Sequence, residues 1–184
     1  MFLQIRKFGD PALREKARPI EAVTDDIRQL ADDMLKAMYA DKGIGLAAEQ
    51  VGRTEHMCVI DIPEVGDLDT DGLRLNHDVE MPLVLINAKI IEFSDDIEVQ
   101  EEGCLSFPGI YTPVSRPTEV TVRYMDRDGN QQEIHTKALL ARAIQHELDH
   151  LNGVLLVDSM STVKKIALSG RLKRLKKETQ AAVA

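Results

Sequence analysis

His146-Glu147-Leu148-Asp149-His150 places two imidazoles and a carboxylate within five residues. On a helix, residues four apart share a face, so His146 and His150 would project together with Glu147 beside the first. Two imidazoles held that way can bind a divalent cation, and the neighbouring carboxylate can act as base toward a water. The chemistry this spacing points to is metal-assisted hydrolysis. A surface helix with two exposed histidines is the plainer reading of the same residues.

A catalytic site of the zinc type takes three protein ligands and leaves one position for water. One known solution continues the motif with Gly three residues after the second His, then a third His three residues further. Gly153 is in place, but Leu156 occupies the second position, so that solution fails. A downstream carboxylate would have to be Asp158, or Glu178 in a charged tail. Upstream, Glu101-Glu102-Gly103-Cys104-Leu105-Ser106-Phe107-Pro108-Gly109 carries a lone cysteine ahead of a Pro-Gly turn, a plausible thiolate ligand.

Three segments in order carry a family resemblance: Gly43-Ile44-Gly45-Leu46-Ala47-Ala48-Glu49-Gln50, Glu102-Gly103-Cys104-Leu105-Ser106, and Gln145-His146-Glu147-Leu148-Asp149-His150-Leu151-Asn152-Gly153. Together they resemble the signature motifs of peptide deformylases, and Ile5 to Arg14 is similar to that family's opening. The resemblance implies Cys104, His146 and His150 as metal ligands, and Glu147 as the general base and acid. It implies Gln50 and the Leu105 backbone N–H as donors to the oxyanion, and Ile44, Gly45, Leu139 and Ala143 as substrate-binding residues. Fe²⁺ is the metal it implies, with Zn²⁺, Ni²⁺ or Co²⁺ equally suited to one thiolate and two imidazoles. The substrate it implies is the formyl-methionine of newly made polypeptides. Asp149 and Arg116 read as a pair behind the ligands, since a carboxylate near a ligating His fixes its tautomer. Two departures stand out: Glu49 where Pro is frequent, and Arg142 where a small or apolar residue is common and where it could alter the pocket rim.

The elements that must hold these residues read as an α+β domain. Thr24 before Asp25 and Asp26 suits a helix start, and Ile27, Leu30, Met34, Leu35 and Met38 form one apolar stripe as far as about Tyr39. Gly43 and Gly45 are expected to end that helix and to permit backbone shapes that other residues resist. Strands are expected at 57–62, 83–93, 97–100, 119–125 and 131–136, with Asp126 to Asn130 as a hairpin turn and 63–81 as a surface loop. The expected architecture is one domain of antiparallel or mixed sheets around a central metal-binding helix, followed by a C-terminal helix. Residues 1–160 would form the catalytic unit and 161–184 a basic tail.

The 184 residues are 43% hydrophobic, enough for a substantial core. No apolar run approaches the length of a membrane span, and the start lacks the core of a secretory signal. Cys58 reads as a buried strand residue, so the 2 cysteines make a disulfide framework improbable and a reducing cytoplasm fits best. From residue 161 onward seven Lys or Arg face only Glu178, whereas the whole chain carries −8, so residues 1–160 carry −14. A basic tail on an acidic body suggests an anionic partner. By resemblance this is the ribosome, reached through Lys164 to Lys177; the plainer and compatible reading is a solvated helix that packs Val163, Ile166, Leu168, Leu172 and Leu175 on the body. Specific DNA binding is not expected. Other readings of the same residues are a zinc endopeptidase using Asp158, a ribosome-associated protein without catalysis, and a deformylase-like hydrolase of altered substrate.

Overall fold

Alternation of apolar residues along the strands divides the interior into two layers, one on each face of a five-stranded sheet. In the computed structural model, which describes residues 3–183, the sheet order is β1 (Gly45–Ala47), β2 (Met57–Ile60), β3 (Leu83–Phe93), β6 (Glu119–Met125), β7 (Gln131–Lys137). Every ladder in it is antiparallel. Met57 and Val59 of β2 face one way and meet α1 (Asp25–Ala40); Cys58 and Ile60 face the other way and meet α2 (Ala138–Leu151). All four of these β2 residues are fully buried, as a central strand covered on both faces requires. Met1 and Phe2, part of the segment read for a secretory signal, and Ala184 at the end of the tail lie outside the described residues.

The expected caps and stripe shape α1. The Thr24 hydroxyl accepts from the Ile27 N–H, Asp25 and Asp26 occupy the first turn, and Leu30, Met34, Leu35 and Met38 are buried. The helix stops at Ala40, and the residue that takes the left-handed conformation is Lys42, at φ 56°. Gly43 and Gly45 have no such φ, which corrects the expectation that they adopt backbone shapes other residues resist. A Cβ on Gly43 would press on Leu105, and one on Gly45 would overlap the Glu147 carboxylate. Close approach, not turning, requires glycine there.

A second sheet pairs β4 (Ile97–Gly103) with β5 (Tyr111–Pro117). β4 runs three residues past the expected end at Gln100, and β5 is absent from the sequence reading. Pro113 and Pro117 hide β5, because proline cannot donate to a ladder; a two-stranded sheet has free edges that tolerate it. β1 escaped notice because it has only three residues, and β2 ends two residues earlier than expected, at Ile60. The loop at 63–81 does lie outside the sheets, yet it buries Asp67 and Asn76, and Asn76 Oδ1 accepts from the Lys137 N–H at 2.9 Å. The turn at Asp126 to Asn130 closes the β6–β7 hairpin, with Gly129 at φ 90°.

α3 (Thr162–Val183) packs Leu168, Leu172 and Leu175 against a third cluster built on Leu13, Phe107 and Met160. Val163 and Ile166 are 77% and 70% exposed, so the expectation that they pack on the body is wrong. They lie off the narrow stripe that the other three leucines form. No helix among the described residues is long and apolar enough to cross a membrane.

Candidate metal centre and active-site cleft

Two elements converge on α2. Its C-terminal half presents His146, Glu147 and His150; the end of β4 presents Glu102 and leads into Cys104; and the short helix at Ala48–Val51 presents Gln50. Cys104 Sγ lies 3.2 Å from His150 Nε2, and the ligand atoms of Cys104, His146 and His150 all lie within 4.8 Å of one another. That separation and that donor set fit a tetrahedral divalent cation. Burial pushes the Cys104 thiol up, but the facing imidazoles outweigh it and hold the group well below its ordinary value, as a thiolate. Among the described residues no other His, Cys, Asp or Glu forms such a group. Asp158, the downstream alternative, instead accepts from Arg14 and from the Leu155 N–H.

His146 also meets a carboxylate. His146 Nδ1 is 3.0 Å from Glu102 Oε2. Glu102 in turn accepts from Arg116 Nε at 2.5 Å and Nη2 at 2.9 Å, and from Arg142 Nη1 at 2.8 Å. Burial would raise the Glu102 carboxyl, yet the bonds from His146 and Arg116 hold it down at about 2. Arg116 also donates to Asp149 Oδ2 at 2.9 Å. The structure therefore pairs Asp149 with Arg116, while the carboxylate on His146 is Glu102. Sequence reasoning missed this use of Glu102, because forty-four residues separate it from His146 and nothing local marks one glutamate of Glu101-Glu102 as buried.

Gln50 is held at both ends. Its Oε1 accepts from the Ala47 N–H at 2.9 Å, and its Nε2 reaches Ser106 Oγ at 3.1 Å and Cys104 Sγ at 3.5 Å. Glu147 is buried, its Oε2 has no partner among the described residues, and burial lifts its carboxyl to about 7. These groups open on a cleft of about 690 Å³ whose walls include Ile44, Gly45, Leu105, Leu139 and Ala143. Arg142 is 7% exposed; it borders the same cleft but turns its guanidinium to Glu102 and to strand carbonyls.

A family model described as polypeptide deformylase matches residues 2–166. The chain is 49% identical over 163 residues to a peptide deformylase of Nitrosococcus oceani, covering 89% of each protein. The chain belongs to the polypeptide deformylase family. It is also 45% identical over 156 residues to the peptide deformylase of Rhizobium meliloti, covering 85% of this chain and 83% of that one. The fold matches the crystal structure of peptide deformylase from Ehrlichia chaffeensis with a TM-score of 0.84 at 34% identity, over 100% of both chains. Membership makes this chain an enzyme of the peptide deformylase class, with a Cys-His-His group suited to a metal.

Within that deformylase frame Glu49 is an oddity. It is fully buried, and neither carboxylate oxygen has a partner among the described residues. Burial, helped by the nearby Glu147, pushes its carboxyl up to about 8. The folded chain therefore holds a proton there that the unfolded chain releases above the ordinary value of 4.5. Stability from this group is full below that value and falls as pH rises to about 8. Glu49→Gln is expected to flatten that slope and to add at least about 2 kcal/mol at pH 9. Thermal melts of both proteins from pH 5 to 9 check it; parallel curves would refute it.

Gly45→Ala is the second substitution with a clear outcome. Its Cβ would fall 2.9 Å from Glu147 Cδ, and the carboxylate must move. Turnover is expected to fall about 100-fold with little change in melting temperature, since a displacement near 1 Å costs about that much. Equal turnover would mean that Glu147 can act from elsewhere.

Proposed function

We propose that this chain removes the N-terminal formyl group from formyl-methionine of newly synthesised polypeptides and releases formate. The observation that carries the reading is a buried carboxyl lifted to about 7, Glu147, set in a cleft against the Cys104-His146-His150 group. Cys104, His146 and His150 would hold one divalent ion, Fe²⁺ in the cell and replaceable by Zn²⁺, Ni²⁺ or Co²⁺. When bound, such an ion supplies Lewis acidity toward water and the formyl oxygen. The chain's own residues do the rest. Glu147 takes the proton from the attacking water and passes it to the departing amine. The Gln50 amide, already fixed by the Ala47 N–H, and the Leu105 N–H donate to the oxyanion as it develops. One water is consumed, the formyl C–N bond breaks, and formate and a free N-terminal amine leave.

β1 supports a peptide substrate. It is an edge strand of the five-stranded sheet, so one side of Gly45 is available to pair with an extended chain. Ile44, Leu139 and Ala143 then offer an apolar pocket for the methionine, with the His146 ring beside them. In this reading residues 1–160 form the catalytic unit, and 161–184 carry a basic helix that meets the ribosome through Lys164 to Lys177. Lys165, Lys173, Arg174, Lys176 and Lys177 are exposed and support such a contact. A cytoplasmic location follows from that substrate.

The test is formate release from an N-formyl-methionyl tripeptide by protein prepared without oxygen and loaded with Fe²⁺ or Ni²⁺. Release by the wild type and almost none by Glu147→Ala is the expected result. A fully metallated wild type that releases no formate would defeat the formyl-methionine reading.

A further inference from the structure

The candidate metal site is assembled from two bodies that share no strand pairing. His146 and His150 belong to α2, whereas Cys104 follows β4, whose sheet is separate from the five-stranded one. Something must hold the β4–β5 hairpin at a fixed distance from the helix. Arg142 lies four residues before His146 and eight before His150, on the same stripe of α2. Its Nη1 donates to Glu102 Oε1 at 2.8 Å and to the Val114 carbonyl at 3.0 Å. Its Nη2 donates to the Glu98 carbonyl at 2.9 Å. One buried side chain thus grips the backbone of both strands of the hairpin and the carboxylate that orients His146.

Neutralising Glu102 does not require it. Arg116 already meets both Glu102 oxygens in a fork and ties them to Asp149. Gln145 adds one more link, from its Nε2 to the Pro117 carbonyl at 3.0 Å, but at the far end of β5. Arg116 also joins the hairpin to α2 through Asp149, whereas Arg142 is the α2 side chain whose guanidinium reaches the backbone carbonyls of both β4 and β5 as well as Glu102.

We infer that Arg142 is a positioning residue for the metal centre: it staples the β4–β5 hairpin to α2 and so sets where Cys104 stands relative to His146 and His150. The inference rests on the reading of Cys104, His146 and His150 as metal ligands. Arg142→Met keeps the unbranched stem and removes every donor; Arg142→Lys keeps one cationic donor. Ile144→Val, two residues along and buried away from the hairpin, serves as a control that loosens the fold without touching the staple.

The experiment loads each protein with Co²⁺ and follows its release to a chelator, together with the visible spectrum of the bound ion and the melting temperature. Arg142→Met is expected to release the ion about 10-fold faster with altered bands, the lower end of the roughly 10- to 100-fold loss that follows removal of a ligand's own partner, because Arg142 reaches His146 through Glu102. Arg142→Lys should recover part of the rate, and Ile144→Val should keep the wild-type rate and spectrum. Release by Arg142→Met at the wild-type rate with an unchanged spectrum overturns the inference. So does faster release by Ile144→Val in proportion to its loss of stability. If the wild type itself binds no Co²⁺, the ligand assignment fails instead, which is a separate result.

Discussion

Glu147→Ala is expected to keep its metal and to lose between about 100-fold and 10,000-fold in formate release. A carboxyl removed from water prefers its neutral form, and here burial raises Glu147 to about 7, against the pull of His146 and His150 in the other direction. A base serves best when its pKa lies near working pH, because it then accepts a proton readily and returns it readily. Its Oε2 is unpaired among the described residues, so nothing competes for the proton it would take. Its backbone sits beside a ligand, yet the ligand atoms come from Cys104, His146 and His150 alone, so metal content should not change. Glu147→Gln, nearly isosteric, should fall as far. Residual turnover within tenfold of wild type at equal metal content would remove Glu147 from the reaction.

How much of this was legible in the sequence depended on distance along the chain. His146 and His150 could be paired because helical period alone brings them together. The burial of Leu30, Met34 and Met38 followed from the same arithmetic. Long-range partners left no such trace. Glu102 meets His146, Arg116 and Arg142 across forty-four, fourteen and forty residues, and its neighbour Glu101 looks identical on paper while pointing to solvent. Arg142 read as a disturbance of a pocket rim, since a guanidinium near apolar residues suggests conflict until its three acceptors are seen. Gly45 read as a helix end with an unusual backbone shape, because the reason for glycine there, the Glu147 carboxylate lying against it, comes from another element. Local rules also misled where a segment broke them: two prolines concealed β5, and apolar Val163 and Ile166 face outward on α3.

Cys104→Ala should abolish tight metal binding and formate release together. Two imidazoles would remain, and two neutral nitrogens without a thiolate hold a divalent ion far less firmly than the full set. Affinity is expected to fall by more than the roughly 100-fold that removing an outer partner can cost. The effect should also appear in stability, because an ion that binds only the folded chain stabilises it by mass action. At a free concentration 100 times its Kd, that contribution is about 2.7 kcal/mol. For a chain of this size it corresponds to a rise of roughly 5–10 °C in Tm when metal is added to the wild type. Cys104→Ala should melt at the same temperature with and without the ion. Cys58 provides the contrast: it is fully buried on β2, its thiol is pushed well above the ordinary value by burial, and it lies outside the ligand group. Cys58→Ala should therefore retain the metal-dependent rise. A metal-dependent rise that survives Cys104→Ala would place the third ligand elsewhere and break the link between the β4–β5 hairpin and the metal centre.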